Sequence, residues 1–171
     1  MRQSFDEFVA ERLDRLLRYA TAMTCDRHLA QDIVQEVLLR VQGKWARIDA
    51  MDASYLYVKK MVTNEYFSWR RRKAAKDISA SRATLEAMAP PTGDFAGEFV
   101  ERDAMRARIA GLPRQQRAAV VLRYYEDCTT AQIAQVMGCT EGTARSHLSR
   151  ALSTLRAHQA TADARSPEVL R

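Results

Sequence analysis

Arg145, Arg150 and Arg156, with His147 and His158 between and beyond them and no acidic side chain from Gly142 to His158, give one stretch of this chain the chemistry of a phosphate-binding surface. The apolar residues of the same stretch, Ala144, Leu148, Ala151, Leu152 and Leu155, recur at helical spacing and define a buried face. Ser146, Ser149 and Arg150 then point the other way, with Thr143 and Arg145 on the flanks. Hydroxyls and guanidinium forks are the groups that hydrogen-bond base edges and phosphates in a major groove. A second helix is expected just before this one. Thr129 and Gln132 make a capping box, Ile133, Ala134 and Met137 an apolar stripe, Gly138 a left-handed stop, and Thr140 a cap for the helix that follows. Residues 129–156 therefore read as a helix-turn-helix whose second helix enters DNA. Any helical hairpin shares the stripe and some solvated arginines; motif spacing and charge together point to DNA.

The elements that must carry this motif are bounded by composition. The chain has 171 residues, 47% of them hydrophobic, and a net charge of +6, enough for one ordinary domain or two small ones. Residues 1–76 hold 15 basic and 10 acidic side chains, residues 77–97 hold 1 and 3, and residues 98–158 hold 9 and 6, so two basic blocks flank an acidic connector. In residues 77–97 Ser, Ala, Pro90, Pro91, Gly93 and Gly97 replace periodic hydrophobics, which reads as a linker, with room for a short helix over Ser81–Met88. Residues 159–171 lack a stripe, include Pro167 and read as a disordered tail. No strand pattern occurs, so the expected fold is all-α: two small helical domains joined by a flexible linker.

Three helices are expected in the first block. Ser4 and Glu7 form a capping box ahead of a stripe of Phe5, Phe8, Val9, Leu16, Ala20 and Met23. Asp26 caps the second helix, with Ala30, Ile33, Val34, Val37, Leu38 and Val41 inward, Asp32, Gln35, Glu36 and Arg40 outward, and Gly43 closing it. Ser54 is expected to cap the third, with Tyr55, Val58, Val62 and Trp69 buried. The polar side of that third helix carries Lys59, Lys60, Thr63, Asn64, Phe67, Arg70 and Arg71, and Tyr66–Lys76 contains five basic residues and no acid. Two readings stand side by side. Rings interleaved with cations suit single-stranded nucleic acid, the rings stacking on bases and the cations holding the backbone. Equally, the aromatics are core and WRRRK is a solvated helix end.

Other classes find little support. No apolar run reaches membrane-spanning length and MRQSFDEF lacks the apolar core of a signal peptide, so a cytoplasmic location without membrane insertion is expected. Cys25, Cys128 and Cys139 are then reduced thiols. Cys25 with His28, or Cys128 and Cys139 with His147, supply too few metal ligands at spacings that match no zinc pattern. No cofactor and no catalytic residue is expected, because the chain has no phosphate-cradling glycine loop, no nucleophilic triad order and no carboxylates clustered beside a histidine.

Together the segments resemble an extracytoplasmic-function (ECF) sigma factor of bacterial RNA polymerase over about residues 1–158. HLAQDIVQEVLLRV is similar to sigma region 2.2, and the resemblance implies that Asp32, Gln35 and Glu36 bind the polymerase beta-prime clamp helices. YLYVKKMVTNEYFSWRRR is similar to regions 2.3 and 2.4, which melt and read the minus-10 element, with Asn64 on the family's usual Asn. GLPRQQRAAVVLRYYEDCTTAQIAQVMGCTEGTARSHLSRALSTLR resembles region 4, which reads the minus-35 element as duplex, and region 4 implies the beta flap as a second polymerase contact. The chain departs from the family at Ser68 (a common Asp), Gln132 (Glu), Ala144 (Val) and His147 (Arg). By angular position His147 sits at the edge of the buried stripe. The resemblance implies core RNA polymerase and promoter DNA as partners, often with an anti-sigma factor as inhibitor, and a pocket for extruded bases completed by a loop at Arg47–Ala53. A free-standing regulator is the rival reading; it would use residues 1–76 to dimerise or sense a ligand and would bind its operator without core polymerase.

Overall fold

The protein is described by a computed structural model covering residues 3–80 and 100–164, with side chains described for residues 3–74 and 104–160. Among the described residues there are eight helices and no strand: α1 (Phe5–Thr24), α2 (Arg27–Gln42), α3 (Trp45–Asp49), α4 (Ser54–Ala80), α5 (Val100–Ala110), α6 (Arg114–Tyr124), α7 (Thr130–Met137) and α8 (Glu141–Ala164). They belong to two compact units, Met1–Asp94 and Phe95–Arg171. The expected short helix over Ser81–Met88 and the end of the tail from residue 165 lie outside the described residues.

In the first unit the local signals act as read. Ser4 Oγ accepts from the Glu7 amide at 3.2 Å while the Glu7 carboxylate accepts from the Ser4 amide at 2.8 Å, satisfying two orphan donors of α1. Cys25 ends α1 in the left-handed region (φ 56°), its amide bonding Thr21 O at 2.8 Å. Asp26 Oδ1 then accepts from the His28 and Leu29 amides at 2.9 and 3.1 Å and starts α2. A two-residue connection between two long helices folds α2 back against α1. α4 packs against both, closing a core of Phe8, Leu16, Tyr19, Ala20, Met23, Ala30, Ile33, Val34, Val37, Val41, Ile48, Val58, Val62 and Tyr66.

Several expectations need correction. Gly43 closes α2 as expected, with φ −65°, but the chain then passes directly into α3. The loop expected at Arg47–Ala53 is therefore helical as far as Asp49. α3 is held by Trp45, whose Nε1 donates to Gln3 O at 2.8 Å and whose ring lies 4.7 Å from that of Phe8. Ser54 is the first residue of α4, and the Tyr57 amide bonds Ala53 O at 3.0 Å, so Ser54 sits inside the first turn. Trp69 is half-buried; Tyr66 and Tyr19 fill the core where Trp69 was expected to contribute. α8 runs six residues past His158, and α4 runs to Ala80, because neither segment contains Gly or Pro and alanine sustains a helix without a packed stripe.

The second unit is organised around Arg117. Its side chain is buried and donates from Nε to Ile109 O at 3.1 Å and from Nη2 to Leu112 O at 3.1 Å and to Ala110 O, so a residue of α6 satisfies carbonyls at the C-terminal end of α5. Arg123 Nη1 donates to Cys128 O at 3.0 Å and fixes the turn into α7, where Asp127 is left-handed (φ 51°). Thr129 and Gln132 form the expected capping box at 3.2 and 2.9 Å, and Gly138 stops α7 at φ 67°. Thr140 Oγ accepts from the Thr143 amide at 3.2 Å and starts α8. Ala144 and Ala151 of α8 are fully buried, and Leu148 and Leu155 pack on Leu112, Val120 and Ala151.

Because Arg117→Met keeps most of the side-chain volume but removes the donors, it should cost roughly 2 to 4 kcal/mol, the scale of losing charge-assisted bonds in a buried place. Hydrogen exchange on the full chain should show faster exchange in α5 and α6 with α1 and α2 unchanged; equal protection of α5 and α6 in the variant would contradict this account.

Candidate nucleic-acid interface

The outward side of α8 assembles as its periodicity requires. Thr143, Arg145, Ser146, Ser149 and Arg150 are all exposed, while Ala144 and Ala151 on the same helix are buried. The hydroxyls are locally satisfied: Thr143 Oγ1 pairs with Thr140 Oγ1 at 2.9 Å, and Ser146 Oγ donates to Gly142 O at 2.9 Å. Each keeps acceptor capacity facing outward, and Arg145 and Arg150 supply the donors. His147 is half-buried in a shallow cleft with Pro113, Arg114, Gln115, Gln116 and Arg150. Burial, and secondarily the charge of Arg150, hold its imidazole below the usual value of 6.5. At neutral pH His147 is therefore uncharged, and the positive charge of this face comes from arginine.

On α4 the seven expected contact residues divide. Lys60, Asn64, Phe67 and Arg71 recur at intervals of four, three and four and form one outward row, with Asn64 and Arg71 exposed and Lys60 and Phe67 half-buried. Arg70 is half-buried and off that row. Lys59 and Thr63 are corrections, for both are buried, at 4% and 0% relative exposure. The Thr63 hydroxyl donates to Lys59 O at 2.9 Å and pairs with Tyr19 Oη at 2.7 Å, and Lys59 Nζ lies 4.9 Å from the centroid of the Tyr55 ring. Neither side chain is presented to a nucleic acid.

Asp32, Gln35 and Glu36 are all exposed on the outer side of α2. Sequence reasoning missed Leu39, which follows them at helical spacing and is 62% exposed, the most exposed large hydrophobic among the described residues. The inward stripe includes Leu38, which leaves Leu39 on the outer face, where an apolar residue is not expected. Also missed was Glu65, the only acid between Lys59 and Lys76. Its carboxylate accepts from Arg40 Nη2 of α2 at 2.5 Å and from Arg72 Nη2 of α4 at 2.8 Å. Burial pushes the Glu65 carboxyl up, yet the hydrogen bonds and charges of Arg72 and Arg40 outweigh it and hold the group below its ordinary value of 4.5. A lone acid with arginine seven residues on along the same face was the available signal.

Burial pushes the Cys139 thiol above its ordinary value of 9.0, so it stays protonated. Among the described residues no three His, Cys, Asp or Glu side chains group as metal ligands, and no helix is long and apolar enough to cross a membrane.

Two family profiles match the chain, Sigma-70 region 2 over residues 8–76 and Sigma-70, region 4 over residues 102–155. The RNA polymerase sigma-E factor of Streptomyces coelicolor is 31% identical over 152 residues, covering 89% of this chain and 84% of that protein. The ECF RNA polymerase sigma factor SigL of Mycobacterium tuberculosis is 34% identical over 162 residues, covering 91% and 86%. Among solved structures, the sigma factor RpoE of Bartonella quintana, crystallised with the anti-sigma factor NepR, has a similar fold, with a TM-score of 0.70 at 21% identity over 90% of this chain and 94% of that one.

The state of His147 is directly measurable. Its folded pKa lies below that of the unfolded chain, so its neutral form stabilises the fold above about pH 6.5 and that contribution is lost as pH falls. Proton NMR should show His147 titrating below 6.5, with Arg150→Ala moving it part of the way back; titration at or above 6.5 would contradict the described burial.

Proposed function

This chain belongs to the ECF sigma factors, which direct core RNA polymerase to promoters in transcription initiation, and on that premise we propose how its exposed faces divide the work. The α8 row Thr143, Arg145, Ser146, Ser149 and Arg150 reads the minus-35 element as duplex, guanidinium forks on base edges and phosphates, hydroxyls as acceptors. The α4 row Lys60, Asn64, Phe67 and Arg71, flanked by Arg70, takes the minus-10 strand, Asn64 hydrogen-bonding an extruded base and Phe67 offering a stacking face. The outer face of α2, Asp32, Gln35 and Glu36 with Leu39 at its end, docks on the beta-prime clamp helices of core polymerase. The observation that carries the α8 assignment is that all five residues of its row are exposed, while behind them Ala144 and Ala151 are buried and Leu148, Leu152 and Leu155 half-buried.

The domain plan follows: residues 1–76 bind core and the minus-10 element, residues 98–158 bind the minus-35 element and the beta flap, and residues 77–97 connect them. The protein acts as an initiation factor without a catalytic step of its own, in the cytoplasm with the polymerase. An anti-sigma partner, as in the Bartonella complex, would act by covering the α2 or α8 face.

Run-off transcription with reconstituted core polymerase tests the whole reading: the chain should confer start at a defined promoter, and sequence-selective DNA binding that is tight without core would support a free-standing regulator instead. Asp32→Ala with Gln35→Ala, and separately Leu39→Ala, should weaken competition for core polymerase with helicity retained. For an exposed leucine at an interface the loss should be about 1 to 2 kcal/mol. Arg145→Ala or Arg150→Ala should lower minus-35 affinity by roughly 1 to 3 kcal/mol and relax preference at one base if the contact is bidentate. A phosphate contact would instead weaken all sequences alike and flatten the salt dependence. Unchanged binding in both arginine variants would reject the docking.

A further inference from the structure

Glu65 belongs to none of the three faces, yet it touches two of the helices that carry them. Its side chain is only 14% exposed, its two oxygens are divided between Arg40 of α2 at 2.5 Å and Arg72 of α4 at 2.8 Å, and Arg72 Nη1 also donates to Ser68 Oγ at 3.1 Å. Arg40 in turn lies 3.8 Å from the carboxylate of Glu36, one of the residues of the outer α2 face. By helical spacing Glu65, Ser68 and Arg72 form a row on α4 beside the row of Lys60, Asn64, Phe67 and Arg71. A guanidinium at the end of a flexible stem loses much freedom when it meets a phosphate, and one already held by a carboxylate and a hydroxyl loses less. Five N–H donors leave Arg72 free to reach a phosphate while both present bonds stay made.

We infer that Glu65 is a positioning residue: it anchors Arg72 to the polymerase-binding helix through Arg40 and holds that guanidinium at the border of the α4 row, ready for the backbone of the minus-10 strand. Ser68 completes the hold. The carboxylate of Glu65 takes one contact of Arg72 and the hydroxyl of Ser68, three residues on, takes the second. The sharing also sets a charge balance. Glu36 and Glu65 against Arg40 and Arg72 leave the linked group without net charge, so it is ordered without becoming a general anion trap. This inference rests on the assignment of α4 to the minus-10 strand.

The test uses holoenzyme reconstituted from core polymerase and the full chain, on a promoter duplex with 2-aminopurine in the minus-10 element, whose fluorescence reports base unstacking. Glu65→Gln removes the charge and keeps the shape; Glu65→Asp keeps the charge and withdraws it by one methylene. Both should reduce opening, Glu65→Gln roughly tenfold, with core competition and minus-35 duplex affinity unchanged. Arg72→Ala should cause a similar loss, and Glu65→Gln combined with Arg72→Ala should lose no more than Arg72→Ala alone. If Glu65 merely neutralises charge, Glu65→Asp will be harmless and Glu65→Gln will open equally well or better at low salt; either result, or losses that add in the double variant, overturns the inference. A drop in helicity of Glu65→Gln leaves Glu65→Asp with Arg72→Ala as the deciding cycle. Asn64→Ala and Arg71→Ala separate the two levels: if they leave opening intact, the minus-10 assignment of α4 fails, and if they impair it while the Glu65 variants do not, only the role of Glu65 falls.

Discussion

The buried chain of hydrogen bonds from Tyr19 through Thr63 to Lys59 O fixes the rotation of α4 about its own axis, and the presentation of the first unit's surface depends on it. Thr63 donates to Lys59 O at 2.9 Å, so its single proton is committed and Tyr19 Oη, 2.7 Å away, is the donor to it. A polar pair in a dry core is satisfied in one arrangement only, and turning α4 by even one residue would strand it. With Thr63 held inward beside Val58, Val62 and Tyr66, the row Lys60, Asn64, Phe67 and Arg71 has no choice but to face out. Apolar burial alone would fix this less sharply, since hydrophobic contact is non-directional.

The second unit reaches the same end with smaller parts. α7 has eight residues and α6 and α5 eleven each, too short to persist alone. Their ends are therefore tied: Thr129 and Gln132 close one, Gly138 another, Thr140 begins the next, and Arg117 reaches from α6 to the carbonyls that end α5. On α8 the phase is set by Ala144 and Ala151, whose small side chains let the helix approach the unit closely, while Leu148 and Leu155 seal against Leu112 and Val120. The exposed row Thr143, Arg145, Ser146, Ser149 and Arg150 is what that packing leaves over.

Charge then separates the faces. The outer side of α2 is acidic and amide-bearing with one exposed leucine, a surface suited to a protein partner. Past Glu141 at its start, α8 carries arginine and no acid as far as His158, with a histidine kept neutral, which suits duplex phosphates over a range of pH. α4 has both characters, and Glu65 marks the seam: its carboxylate joins the edge of the acidic face, through Arg40, to the basic end of the helix, through Arg72.

The sequence alone determined the starts of α1, α2, α7 and α8 and the end of α7, because caps and stops are local: Ser4 with Glu7, Asp26, Thr129 with Gln132, Gly138 and Thr140 each act on an amide or a dihedral within a few residues. It determined the exposed row of α8 as well, since one stripe of small and aliphatic residues against one unit leaves a single opposite side. What it could not determine was the width of a buried face. α4 packs against α1, α2 and α3, so its buried arc takes in Lys59, Thr63 and Tyr66 beside the expected Val58 and Val62, and removes two residues that periodicity had placed among the nucleic-acid contacts. The short helix in place of a loop after Gly43 and the meeting of Glu65 with an arginine 25 positions earlier were likewise decided by tertiary structure. Periodicity gives the angle between residues on one helix; only the neighbours say how much of the circle they cover.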